Sequence, residues 1–315
     1  MMKRILLFGI AVAAILTSCA AKREVENNVS APVAYESDAA KGGRKTVRNV
    51  NVGEFSKMDL TSYCRVHFVQ GTTCRVRLEG DGKTLDNVSA TVSGGKLTIR
   101  TINTGYHKGK EHEFEVFITA PEISEVSVSG IVTFEADKVE SRSLLLDCTG
   151  LVTINIGTIS AGTLSMVNSG QTSLKGKADA NKIKIDNTGI CQLELTADGT
   201  SLKFENGGQA RVNLTYRGVD TRIENSGLCN LKAQITSGKL VMDNSGQGGM
   251  NFNFNEGDLS IENTGIGNIV GKLDCNSVSA SNAGVGDVVL QGHADNVNID
   301  SSGVSKVDTS KLNNY

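Results

Sequence analysis

The sequence predicts an all-β protein: a right-handed parallel β-helix of about 19-residue coils, preceded by a smaller β-strand-rich N-terminal region. Three observations lead there. Glycines recur at positions 130, 150, 170, 189, 208, 227, 246, 265, 284 and 303, so the intervals are 20, 20 and then 19 seven times over. Apolar residues hold even offsets from each glycine, as Ile183, Ile185, Leu193 and Leu195 do around Gly189, which places them on one face of strands at both sides of a corner. The 315-residue chain is also only 4% aromatic, with no Trp and 35 Gly, as suits a thin repetitive core.

Residues 1–19 read as an export signal. Lys3 and Arg4 precede an apolar run from Ile5 to Leu16, too short for a permanent span. Leu16-Thr17-Ser18-Cys19 resembles the bacterial lipobox, in which cleavage before the cysteine leaves it as the lipid-bearing N-terminus, so Cys19 is the expected lipidation site. Residues 20–45 are small and polar without periodicity, a flexible tether. Ala20-Ala21-Lys22-Arg23 follows Cys19 where surface-directed lipoproteins often carry acidic residues. An outer-membrane lipoprotein facing the periplasm is therefore favoured over one on the cell surface.

Residues 46–121 form the N-terminal β-rich region. Cys64, Val66 and Phe68 alternate onto one face, as do Cys74, Val76 and Leu78, and Leu97 with Ile99; Gly71, Gly80, Gly82, Gly94 and Gly95 separate the runs. These are short strands, with no helix-length apolar pattern. Pro121 marks the junction with the repeat domain, 122–315.

Within the repeats the residue two before the glycine is Asn168, Asn187, Asn206, Asn225, Asn244, Asn263 and Asn282. Its even offset points it inward. A buried unpaired amide costs about 1–3 kcal/mol, and stacked amides avoid that by bonding one another along the axis. The column reads as a structural Asn ladder, closed by Cys148 and Ser301, with the following glycine supplying a positive-φ corner.

Two outward columns carry the functional readings. Three before the glycine lie Asp147, Asp186, Glu205, Glu224, Asp243, Glu262 and Asp300. Stacked carboxylates at strand spacing repel by roughly 3.5 kcal/mol per pair at an effective dielectric of about 20. Lys184, Lys203 and Arg222 stand two residues before Asp186, Glu205 and Glu224, whereas Asp243 and Glu262 have Val241 and Ser260 there. At that pair the alternatives are a divalent cation and mobile counterions, so Asp243 and Glu262 are the weak metal candidates. One position after the glycine is an aliphatic column, including Ile190, Leu228, Ile266, Val285 and Val304, either an exposed contact ridge or a set turned inward by the corner.

Other chemistry is thinly represented. Cys191 and Cys229 lie two coils apart, beyond disulfide reach, and read as core fillers. Cys64 and Cys74 face inward on neighbouring strands and are the one pair expected to bridge. His107 and His112 share a polar loop with no third ligand placed by spacing. No cofactor is implied, and a net charge of -2 gives no footprint for nucleic acid. Lyases and hydrolases built on parallel β-helices make an enzyme the rival reading, but their grooves are walled by long loops and these intervals hold no insertion.

Phe55-Ser56-Lys57-Met58, Gly94-Gly95-Lys96-Leu97-Thr98-Ile99, Val116-Phe117-Ile118-Thr119-Ala120-Pro121 and Val128-Ser129-Gly130 with the glycine corners after it resemble the auto-transporter adhesin head GIN domain family, over about residues 47–305. The resemblance implies a right-handed β-helix and an exported location, and carries no catalytic residues. The resulting expectation is a non-enzymatic, lipid-anchored cell-envelope protein with an adhesin-like or scaffolding surface. It would be held at the outer membrane by its N-terminal lipid and would meet an envelope protein or a glycan. The alternatives are a carbohydrate-binding or polysaccharide-cleaving protein and a component of an envelope-stress sensor.

Overall fold

A computed structural model describes residues 45–102, 113–302 and 305–313. The signal with Cys19, the tether to residue 44, the loop holding His107 and His112, and Val304 lie outside the described residues. The described strands join one 20-stranded sheet wound into a β-solenoid of about ten turns.

The solenoid begins inside the N-terminal region. There the strands are β1 (Lys45–Val50), β2 (Lys57–Thr61), β3 (Tyr63–Gln70), β4 (Arg75–Asp81), β5 (Val88–Ser93), β6 (Lys96–Thr101), β7 (Phe114–Ala120) and β8 (Glu125–Val128), followed by β9 (Ile131–Cys148). β2 pairs in parallel with β6 and β8, and β3 with β7 and β9. The β2–β3 coil, turning at Ser62, is thus inserted between the β6–β7 coil and the β8–β9 coil, so the order along the axis is not the order along the chain. β1, β4 and β7 pair antiparallel, as do β5 and β6. These antiparallel strands cover the outer edge that a bare parallel coil would leave open. One short helix, α1 (Gly82–Asp86), departs from the strand-only expectation: the Asp81 carboxylate accepts from the Lys83 amide at 3.0 Å, capping a single turn that buries Leu85.

From β9 onward every coil lies in parallel register on the last. β9 maps onto β10 (Leu151–Asn168) with a 20-residue offset. β10 maps onto β11 (Gln171–Asn187) with an offset that changes from 20 to 19 between Ile156 and Thr158. Gly157 is the residue left over, so the shortening of the repeat is a bulge at one defined place. Thereafter the register runs at 19, as in Asn206↔Asn225↔Asn244↔Asn263↔Asn282, until a second shift between Val289 and Gln291 returns it to 20 in the last pairing. Inward columns are apolar: Ile183, Ile185, Leu193 and Leu195 are each 1–2% exposed. Single coils cannot bury such a face; stacking makes it continuous.

The corner glycines do a different job from the one expected. None from Gly130 to Gly284 adopts positive φ. What requires glycine is closeness: a Cβ on Gly208 would sit 2.1 Å from the Gly189 carbonyl oxygen, and one on Gly227 2.1 Å from that of Gly208. Positive φ appears two residues later and only in the last coils, at Gly248, Gly267 and Gly286.

Candidate functional site

The corner that each Asn-x-Gly makes is organised around its amides. The seven asparagines are all at most 3% exposed. Each Nδ2 donates to the Oδ1 of the next coil: Asn168 to Asn187 at 2.6 Å, Asn187 to Asn206 at 2.6 Å, Asn206 to Asn225 at 2.7 Å, Asn225 to Asn244 at 2.8 Å, Asn244 to Asn263 at 2.7 Å and Asn263 to Asn282 at 2.9 Å. Asn168, Asn187, Asn206 and Asn225 also donate to a backbone carbonyl, for example Asn187 to Gln209 O at 3.1 Å. Cys148 follows Asn168 in register and is buried at one end, whereas Ser301 does not close the other. Thr172 Oγ1 donates to Asn168 Oδ1 at 2.7 Å, and Asn282 Nδ2 donates to the carbonyls of Gly286 and Lys306. Ser301 is exposed, so it cannot extend a buried column. The arrangement satisfies buried amides and fixes the register; it exposes nothing reactive.

Outside this corner the carboxylates form a staggered ion-pair ladder. Lys184 Nζ is 3.9 Å from Asp186 but 3.2 Å from Glu205 of the next coil; Lys203 is 2.9 Å from Glu205 and 3.2 Å from Glu224. Arg222 contacts Glu224 and reaches Asp243 at 2.5 Å. The pairing within one coil expected from the sequence is therefore incomplete: each cation bridges two coils, and Asp243 has a cation after all. The Lys203 hydrogen bond, with Lys184 behind it, holds the Glu205 carboxyl below its ordinary range. Glu262 stands next to Asp243 in register, yet the Asp243 carboxylate is already engaged by Arg222. Among the described residues no group of three His, Cys, Asp or Glu is placed to hold a metal ion. These carboxylates and the hydroxyls of Ser226, Ser245 and Thr264 line a shallow groove of about 410 Å³.

The column after the glycine faces outward. Ile131, Ile266 and Val285 are 41%, 53% and 58% exposed, while Ile190 and Leu228 are half-buried. In register the column reads Ile190, Gln209, Leu228, Gln247, Ile266, Val285. Glutamines interrupt the aliphatic ridge, and only Ile266 and Val285 are aliphatic neighbours in this run.

Two features were not legible beforehand. On the flank after the corner, side chains of six successive coils from Glu194 to Gln291 line a polar groove of about 530 Å³ that includes Asn213, Lys232, Asn251 and Lys272. Nearer the N-terminal end, His67 stacks on Phe117 with ring centroids 4.8 Å apart, and the Arg77 guanidinium lies 4.2 Å over the same ring. His67 Nδ1 is 3.4 Å from Glu135 and Nε2 is 3.7 Å from Glu115. These residues come from β3, β4, β7 and β9, brought together by pairings that leave no local sequence signal.

Among the described residues five thiols, Cys64, Cys148, Cys191, Cys229 and Cys275, are buried and Cys74 is half-buried. Cys64 and Cys74 are both free, because β7 lies between β3 and β4, so they are not on neighbouring strands. Cys74 Sγ instead meets the Phe55 backbone. Cys191 and Cys229 flank Ala210 in register, and burial pushes each thiol up to about 12.

A family model described as "Putative auto-transporter adhesin, head GIN domain" matches residues 54–230 and 219–314. The chain belongs to this family. Solved structures with similar folds include a "putative adhesin" from Parabacteroides merdae, 14% identical over 84% of this chain and 96% of that one, with a TM-score of 0.45. Another "putative adhesin", from Parabacteroides distasonis, is 16% identical over 84% and 97%, with a TM-score of 0.45. A "putative lipid binding protein" from Parabacteroides distasonis is 15% identical over 84% and 97%, with a TM-score of 0.42. No curated protein matches the chain. The family's name points to an exported or envelope protein of adhesin type. No helix among the described residues is long and apolar enough to cross a membrane.

Proposed function

We propose that this member of the family is a non-enzymatic envelope lipoprotein, anchored through Cys19 and facing the periplasm, whose solenoid is a contact surface of adhesin-like or scaffolding type. The observation that carries the reading is the outward corner column ending in the exposed neighbours Ile266 and Val285. Large apolar side chains held side by side on a rigid stack are a marker of contact. Successive 19-residue coils without insertions support contact over catalysis, since they raise no loop walls around a reaction site. The ridge comprises Ile190, Leu228, Ile266, Val285 and Val304, and its partner is an envelope protein or a glycan.

Two experiments test the two parts. Metabolic labelling with palmitate marks the wild-type protein and not Cys19→Ser, and protease added to intact cells leaves the protein whole; an unlabelled wild type removes the anchor, and shaving of intact cells moves the protein to the outer face. For the surface, Ile266→Asp with Val285→Asp lowers recovery of cross-linked envelope partners while leaving far-UV circular dichroism unchanged. Undiminished cross-linking in that variant removes the ridge from the account.

A further inference from the structure

The flank that follows the corner differs from the flank that precedes it. Before the corner, Lys184, Lys203 and Arg222 are all consumed by carboxylates of their own and the next coil. After the corner, Lys232 and Lys272 have no acidic partner among the described residues, and Asn213, Gln234, Asn251 and Asn253 beside them make no side-chain hydrogen bond there. All six side chains are exposed. They fall in two adjacent outward columns, Asn213↔Lys232↔Asn251 and Gln234↔Asn253↔Lys272, in unbroken register. The face is indented, forming the groove of about 530 Å³ that runs along the axis. At its upper end the one carboxylate, Glu194, is neutralised by Lys175 at 2.8 Å.

The chemistry narrows the occupant. A peptide adding itself as a strand needs a free backbone edge, and the strand carrying Lys232 is paired on both sides. An amphipathic helix needs an apolar trough, but Phe252 and Phe254 beneath the groove are buried and the exposed lining is amide, hydroxyl and charged, with Thr196, Thr215 and Glu194 beside the amides and lysines. Single-stranded nucleic acid needs exposed rings to stack on, and the groove presents none. What remains is an extended polymer with hydroxyls along its length, each donor and acceptor at once as the amides are, and with negative charges for the two lysines. We propose that this groove binds an acidic polysaccharide lying along the solenoid axis, with Lys232 and Lys272 meeting its anionic groups and the four amides its hydroxyls. The inference rests on the reading of the solenoid as a contact surface and adds a site and a ligand class to it. The two lysines lie two coils apart, about 9.6 Å along the axis, so the site selects an extended chain over a single sugar.

The test immobilises the purified full-length protein and titrates four acidic polymers (polygalacturonate, alginate, hyaluronate and chondroitin sulfate) against neutral galactan and dextran. At least one acidic polymer should bind, more weakly as salt rises, and neither neutral polymer should match it. Lys232→Ala with Lys272→Ala should weaken that binding roughly fivefold to tenfold, and Asn251→Ala with Asn253→Ala should weaken it further; the lysines are exposed, and an unchanged circular dichroism spectrum shows the fold intact. Ile266→Asp with Val285→Asp should bind the polymer normally, which separates the groove from the ridge. No retention of any acidic polymer, equal retention of neutral ones, or binding indifferent to the lysine pair would overturn the inference, and none of those results touches the ridge experiment.

Discussion

Gly207 and Gly208 are neighbours in sequence and opposite in what they tolerate. A Cβ on Gly207 meets nothing nearer than Ser226 Oγ at 3.7 Å, whereas on Gly208 it would lie 2.1 Å from the Gly189 carbonyl oxygen. That oxygen is held by the Gln209 amide at 2.8 Å and cannot move aside. Gly207→Ala should leave the denaturation midpoint almost unchanged, and Gly208→Ala should cost about 3 kcal/mol or more or prevent folding. The asparagine column gives a second expectation. In Asn225→Ala the Asn244 Oδ1 loses its donor and Asn206 loses its ladder acceptor, so about 2–4 kcal/mol should be lost in urea titrations. The thiols give a third. Cys64, Cys148, Cys191 and Cys229 are each pushed up to about 12 by burial, from an unfolded value near 9. A folded value above the unfolded one means stability that is complete below pH 9 and lost as pH climbs from 9 towards 12, because only the unfolded chain ionises there. Denaturant titrations across that interval should show the decline, and Cys191→Ala with Cys229→Ala should flatten it. At this scale the inward asparagines could be read from parity alone. The reason for the glycines could not, since close approach and positive φ leave the same letter in a sequence.

Strands were easier to read than their partners. Alternation located β3, β4 and β6 individually, because each buries one face. The insertion of the β2–β3 coil between two later ones was not legible, since parallel partners such as Cys64 and Phe114 are far apart in the chain and nothing local encodes which strand comes next. That topology decides the fate of Cys64 and Cys74. With β7 between their strands, mass analysis under non-reducing conditions should find both thiols free and only Cys74 readily alkylated in the native state. A Cys64–Cys74 peptide would mean that β4 packs against β3 directly. The acidic column shows the same limit in milder form: its composition was evident, but only register reveals that Arg222 belongs as much to Asp243 as to Glu224.

For the whole molecule, regular spacing made the coil legible and the groove illegible. Repeats of constant length announce a stack, while an indentation across six coils depends on how successive outward columns sit together in space. Ladder, ridge and groove are columns of one register, so each functional proposal fails if the register does. The most direct test places spin labels in pairs on one outward column, where Lys182, Ser201, Asp220, Lys239, Asp258, Ser277 and Asn296 succeed one another. Pulsed electron–electron distances from Lys182 should rise linearly at one strand spacing per coil, to about 14 Å at Lys239, about 19 Å at Asp258 and about 29 Å at Asn296. Distances that fail to grow with coil number would contradict the in-register stack and dissolve the columns on which the surface reading stands.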